Sequence, residues 1–156
     1  TRFATTGCPT CNDNNHPILI NSLIGVHNGV LYNDDEIREI YPYDQEVDSA
    51  AIFSALDGEA DGVLTADVMR KTLPMVIGDM AVAVADARDT NKLFIARDNT
   101  RPLFLLEGRD ALWMASTPQI LSDGLKVMGR FNAELLDARS VMTFEGSRDN
   151  KEVTKW

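Results

Sequence analysis

Cysteine is scarce. The 156-residue chain has only Cys8 and Cys11, and a Cys-x-x-Cys pair closes too short a loop to staple a fold. A disulfide-rich secreted scaffold is therefore excluded. Long apolar runs are missing too: none approaches the ~20 residues that cross a bilayer. The start also lacks the basic-then-apolar layout of a signal peptide. Together these absences predict a cytoplasmic protein with no membrane partner. Positive charge is in deficit, with 15 Lys+Arg against 24 Asp+Glu and a formal net charge of -9. Nucleic-acid binding requires the opposite balance. Acidity alone names no substrate, because a solvated acidic surface also serves solubility.

What is present is the composition of one globular domain, 44% hydrophobic and 25% charged, with 10 Gly and 6 Pro. A core of this size is self-sufficient, and no repeat or linker divides residues 1–156. Thr1 to Pro17 reads as loop. Ile18 to His27 reads as a buried strand that stops at the turn dipeptide Asn28-Gly29. Three helices follow in the pattern. The first is capped by Asn33 and stopped by Pro42. The second is capped by Asp48 or Ser49, with Ile52, Phe53 and Leu56 inward, and is closed by Gly58. The third is capped by Thr65 and ends at Pro74.

The period then changes to strands at Met80 to Asp86, Leu93 to Arg97, Leu103 to Leu106 and Ala111 to Ser116, spaced for an antiparallel meander. Ser116-Thr117-Pro118 opens another helix. Glu134 to Leu136 and Val141 to Phe144 read as edge strands, and Gly146 to Trp156 as a polar tail with an exposed aromatic. Helices followed by a meander imply an α+β protein in layers, with strand faces together and helices outside.

Several residues have the chemistry for a site. Cys8, Cys11, His16 and His27 are zinc-ligand types, but the spacing matches no common finger, and His27 ends a buried strand where backbone groups satisfy its ring. Cys8-Pro9-Thr10-Cys11 is a redox candidate without the strand-to-helix context such pairs use, and either thiol beside His16 or His27 is a candidate nucleophile. Two loop thiols without a role is the simpler reading. An N-terminal Thr such as Thr1 can act as a nucleophile through its own amine, although a chain start is more often a cut.

More informative is the ordered set Thr1-Arg2-Phe3-Ala4-Thr5-Thr6-Gly7, Asn14-Asn15-His16-Pro17, Val26-His27-Asn28-Gly29-Val30 and Val47-Asp48-Ser49. With the strands that follow to about Leu121, it resembles the class II glutamine amidotransferases, the glutaminase domains of the N-terminal-nucleophile (Ntn) hydrolases. Each motif alone is weak, since His-Asn-Gly also suits a hairpin; the set in order is specific. The resemblance implies a four-layer αββα sandwich of mostly antiparallel sheets. It also implies an enzyme that hydrolyses the side-chain amide of glutamine and passes the ammonia to an acceptor.

The same resemblance implies that Asn28 and Gly29 donate to the oxyanion, that Arg2 and Thr5 hold the substrate α-carboxylate, and that Asp48 holds the α-ammonium. Phe3 takes the place of the family's usual Trp or Tyr. These types suit a zwitterion, whose carboxylate wants a planar permanent cation and whose ammonium wants a carboxylate. Taken alone, Arg2 reads as a surface arginine and Asp48 as a helix cap. Thr6 departs from the His of the sugar-phosphate branch, which leaves the acceptor open.

The family's nucleophile is a cysteine at the mature N-terminus, several dozen residues before the Thr-Arg-aromatic segment, and neither Cys8 nor Cys11 aligns with it. The expectation is the later part of a glutaminase domain, incomplete at its N-terminus, inactive alone, needing no cofactor or metal, and partnered by a synthase domain or chain. A non-catalytic glutamine-binding module of the same fold and a small zinc-binding module are the alternatives.

Overall fold

The computed structural model describes residues 7–8, 10–108, 111–126 and 132–156. The chain first reverses at Asn21, whose φ of +50° is the left-handed conformation that Asn tolerates. This corner joins β1 (Ile18–Ile20) to β2 (Leu23–Leu31) with Ile18 opposite Gly25. The single buried strand expected from Ile18 to His27 is therefore two, broken at Asn21-Ser22, and the second runs through Asn28-Gly29 to Leu31 instead of stopping there. The reason is a distant partner. β3 (Gly78–Asp86) pairs along the whole of β2, setting Asn28 opposite Ala81 and Gly29 opposite Met80, and this ladder outweighs the local turn preference of Asn-Gly.

The main sheet has six strands in the order β1-β2-β3-β4-β8-β9, where β4 is Asp89–Arg97, β8 is Ser140–Glu145 and β9 is Ser147–Lys155. The second sheet has three, β6 (Leu112–Ala115), β5 (Phe104–Glu107) and β7 (Glu134–Leu135). The expected single meander is thus split between sheets. The cause lies in the turn after β4: the Asp98 carboxylate accepts from the N–H groups of Thr100 and Arg101 at 2.8 and 3.1 Å, and Arg97 donates to the Arg101 carbonyl at 3.1 Å. Pro102 then removes a donor that would continue the ladder.

The end of the chain also departs from expectation. Val141 to Phe144 lie on a central strand, since β8 pairs with both β4 and β9. The expected tail forms β9, whose polar sequence suits the sheet edge it occupies. Trp156 is half-buried against the core rather than exposed, with its N–H on the Arg139 carbonyl at 3.0 Å.

Helices α1 (Asp34–Ile40), α2 (Ser49–Glu59) and α3 (Ala66–Thr72) cover one face of the large sheet, with α2 on β1 and β2 and α3 on β8 and β9. Helix α4 (Pro118–Leu125) packs on β6. The layers therefore run helix, sheet, sheet, helix. Thr65 and Thr117 cap α3 and α4 by accepting from Val68 and Ile120 N–H groups, both at 3.2 Å. Asn33 and Asp48 stand before their helices but make no cap hydrogen bond. Asn33 instead clasps Met75 O and Ile77 N at 3.0 and 2.9 Å. Gly58 does not close α2, which continues to Glu59 with the Tyr41 ring packed over the glycine.

Helix α2 is buried on every side from Ser49 to Leu56, which marks it as the central helix rather than an amphipathic surface one. Ile52, Phe53 and Leu56 lie in the main core. A smaller core of Ala83, Ile95, Leu105 and Leu136 joins the two sheets. Leu19, Ile24 and Val26 remain exposed on β1 and β2. Among the described residues no helix is long and apolar enough to cross a membrane.

The seating of α2 rests on Gly25, where a Cβ would come within 2.0 Å of the Phe53 ring. Gly25→Ala should cost about 1–3 kcal/mol by overpacking. Adding Phe53→Leu should recover part of that loss, and a double-mutant cycle in denaturant measures the coupling. Strictly additive losses would place the strain elsewhere.

Candidate functional site

The site grows from the paired stretch of β2 and β3. Gly29 has φ of +157°, and a Cβ there would lie 1.7 Å from the Asp79 carbonyl oxygen and 2.7 Å from His27 Nε2. Backbone-to-backbone approach therefore requires glycine at this position, independently of any ligand. The same Asp79 oxygen lies 3.1 Å from His27 Nε2, and His27 Nδ1 lies 2.9 Å from Ser49 Oγ. A carbonyl can only accept, so Nε2 carries the proton and the neutral ring accepts the Ser49 hydroxyl at Nδ1. Burial pushes the His27 pKa down, outweighing the opposing effects of the Asp79 carbonyl and the Asp48 carboxylate; the Arg101 guanidinium pushes the same way as burial.

Asp48 stands immediately before α2 and is 3% exposed. Its Oδ2 accepts the Leu31 N–H at 2.9 Å, so the α2 start is tied to β2 twice, through Asp48 to Leu31 and through Ser49 to His27. The loop before β1 is fastened to the same place. Asn14 Nδ2 and Cys8 N both donate to Glu46 Oε2 at 2.9 Å, and Glu46 N donates to Asn14 Oδ1 at 3.0 Å. These two donors hold the Glu46 carboxyl below its ordinary range. Gly7 rests beside Val47, where a Cβ would sit 3.0 Å from Val47 Cγ1.

A cleft of about 580 Å³ opens between the two sheets, and its lining includes His16, Asn28, Gly29, Asp48, Arg101 and Ser116. The structure thus brings Asn28, Gly29 and Asp48 to one cavity. Arg2, Phe3 and Thr5, like Thr1, lie outside the described residues. Cys8 and Cys11 are free and exposed, and neither lines the cleft. Thr10 donates to or accepts from the Cys8 thiol at 3.1 Å, which helps hold its pKa below the ordinary value. The zinc reading does not survive in the geometry: among the described residues no group of three or more His, Cys, Asp or Glu side chains is placed to hold a metal ion.

Arg101 and Ser116 lie in the strands and turns to about Leu121 that carry the family resemblance, but neither was assigned a role in the site from sequence. Arg101 reaches the cleft because the Asp98 turn lifts the chain from one sheet to the other. Its signal was the Asp98-Asn99-Thr100-Arg101-Pro102 run, an Asx-type turn carrying a cation between two strands.

The neutral, buried His27 has a consequence in pH. Its folded pKa lies below the unfolded value of 6.5, so the unfolded chain binds the proton first as pH falls. Its contribution to stability is complete above 6.5, declines below it, and levels off beneath the folded pKa. The slope contributed by this residue is bounded by about 1.4 kcal/mol per pH unit. Denaturant unfolding between pH 5 and 7.5 should show this slope, and His27→Gln should remove it. An unchanged slope in the variant would assign it to another group.

Comparison with known proteins identifies the family and the fold. Residues 8–123 match the glutamine amidotransferase domain family. The chain is 30% identical over 148 residues to glutamine–fructose-6-phosphate aminotransferase (isomerizing) of Geobacillus kaustophilus, covering 91% of this chain and 24% of that protein. It therefore spans about a quarter of the length of such relatives. Its fold superimposes on the B. subtilis glutamine phosphoribosylpyrophosphate amidotransferase complexed with ADP and GMP, with a TM-score of 0.74 at 18% identity over 99% of this chain and 33% of that one. A glutamine aminotransferase class-II domain protein from Silicibacter pomeroyi aligns with a TM-score of 0.63 at 13% identity, covering 90% of this chain and 71% of that one. With its mixed, mostly antiparallel Ntn-hydrolase-type architecture, the chain belongs to the glutamine amidotransferase domain family.

Proposed function

We propose that the cleft binds glutamine and forms most of a glutaminase site, whose ammonia product passes to a synthase domain or partner chain. The observation that carries this reading is the shared lining of the cleft by the Asn28-Gly29 stretch and the Asp48 carboxylate. In this reading Asp48 takes the α-ammonium, while Arg2 and Thr5 take the α-carboxylate and Phe3 lies beside the substrate loop. The side-chain amide of Asn28 and the N–H of Gly29 stabilise the negative oxygen that develops when a thiol attacks the glutamine amide. The attack releases ammonia and leaves a γ-glutamyl thioester, which water opens to glutamate and free thiol.

The thiol in this proposal belongs to a cysteine of the intact protein other than Cys8 and Cys11. Two observations support an outside nucleophile. Cys8 and Cys11 are absent from the cleft lining, and the exposed Leu19, Ile24 and Val26 offer an apolar face on which further strands can pack.

The test is steady-state glutaminase kinetics on the full-length gene product. Asn28→Ala should lower turnover by roughly two to three orders of magnitude. Arg2→Ala and Asp48→Ala should instead weaken glutamine binding by about 1.5–3 kcal/mol each. Cys8→Ala with Cys11→Ala should leave turnover intact. Glutamine saturation unchanged in both charge variants would refute the assignment, and glutamine binding without any turnover in the full-length protein would favour a non-catalytic binding module.

A further inference from the structure

A cation reaches the cleft: Arg101 is part of its lining. Arg101 is held there by several tethers that lead to one place. Its Nη2 donates to Asp79 Oδ2 at 2.8 Å, and its backbone N–H donates to Asp98 Oδ1 at 3.1 Å. Asp98 in turn accepts the Met80 N–H at 3.0 Å through Oδ2 and donates its own N–H to the Met80 carbonyl at 2.9 Å. Asp79 and Met80 are the β3 residues that lie against Gly29: Met80 is its ladder partner, and the Asp79 carbonyl occupies the space of a Gly29 Cβ. Arg101 is thus clamped to the end of the cleft where Asn28 and Gly29 stand.

The guanidinium is not used up by these contacts. It carries five donors, and its Nε is buried with no hydrogen-bond partner among the described residues. The side chain as a whole is 38% exposed and lines the cleft, so donors of the fork that Asp79 does not take are within reach of an incoming acceptor. Because the guanidinium stays charged at every working pH, an anionic acceptor gains more than a neutral one. The Asn28-Gly29 end is also where the glutamine reading places the reacting amide, which is neutral in the substrate and becomes a carboxylate in the released glutamate.

Resting on that reading, we propose that Arg101 is a specificity-determining residue for the γ-end of the ligand, binding the γ-carboxylate of glutamate more strongly than the amide of glutamine. It thereby makes the site sensitive to its own product, which competes with substrate as it accumulates.

The experiment is steady-state glutaminase kinetics on the full-length gene product and its Arg101→Gln and Arg101→Lys variants, reading KM for L-glutamine and the competitive inhibition constant of L-glutamate. In the Gln variant the ratio of glutamate to glutamine affinity should fall about tenfold, the weight of one charge-assisted hydrogen bond. The Lys variant, which keeps the charge but not the fork, should fall between the two and serves as the reading should the Gln variant fail to fold. Equal weakening of both ligands, or an unchanged ratio in either folded variant, overturns the role of Arg101. A parent protein without glutaminase turnover overturns the glutaminase reading itself, and this assignment with it.

Discussion

The site depends on the close approach of β2 and β3 at Gly29. Every feature of the cleft is referred to that one contact. The Asp79 carbonyl can enter because residue 29 has no side chain, and the same oxygen then fixes the tautomer of His27. His27 in turn engages Ser49 at the head of α2, beside the Asp48 carboxylate. On β3, Asp79 and Met80 anchor the turn that carries Arg101. A displacement of β3 by half an ångström would therefore reach Asn28 and Gly29, the acidic residue and the cation together, because packed interiors transmit rather than absorb such shifts.

Helix positions and the fold class were legible in the sequence where a local signal agreed with the final packing. Thr65 and Thr117 are capping residues followed by helical periodicity, and both make the bond that the pattern implies. The strands of the meander are short apolar runs bounded by turn residues, which is enough to find them. What was not legible depended on partners far along the chain. Asn28-Gly29 carries the local code of a turn, and only a strand some fifty residues later makes it the middle of a ladder. β9 lacks an apolar run because it is an edge strand, and its existence depends on β8 offering a free side. The division into two sheets hinges on the Asp98 turn, whose hydrogen bonds to β3 are tertiary contacts.

The candidate site divides in the same way. The spacing of Asn28, Gly29 and Asp48 matched a family pattern, so these residues were found through resemblance, while the physical reasons for two of them emerged only with the fold. Asp48 reads as a helix cap in sequence, yet its carboxylate accepts from Leu31 on the neighbouring strand and makes no cap bond. Gly29 reads as a residue that clears space for a ligand, and the space it clears is taken by Asp79. Arg101 lies in a stretch that resembles the family, but it drew no role in the site from sequence, since a lone arginine after a turn is common and its place in the cleft is a product of the crossing between sheets.

Charge on the cleft follows a logic separate from the charge of the whole chain. A net charge of -9 would disfavour an acidic ligand at long range, but at physiological salt such repulsion fades over about 8 Å. Inside the cleft, fixed partners at hydrogen-bond distance decide. Asp48 lies at the head of α2, and Arg101 is clamped by Asp79. Each is held by backbone or side-chain bonds before any ligand arrives, so ordering them costs nothing at binding. An acidic surface and a cleft with its own cation are therefore compatible: the first governs solubility and encounter, and the second governs which charges a ligand in the cleft meets.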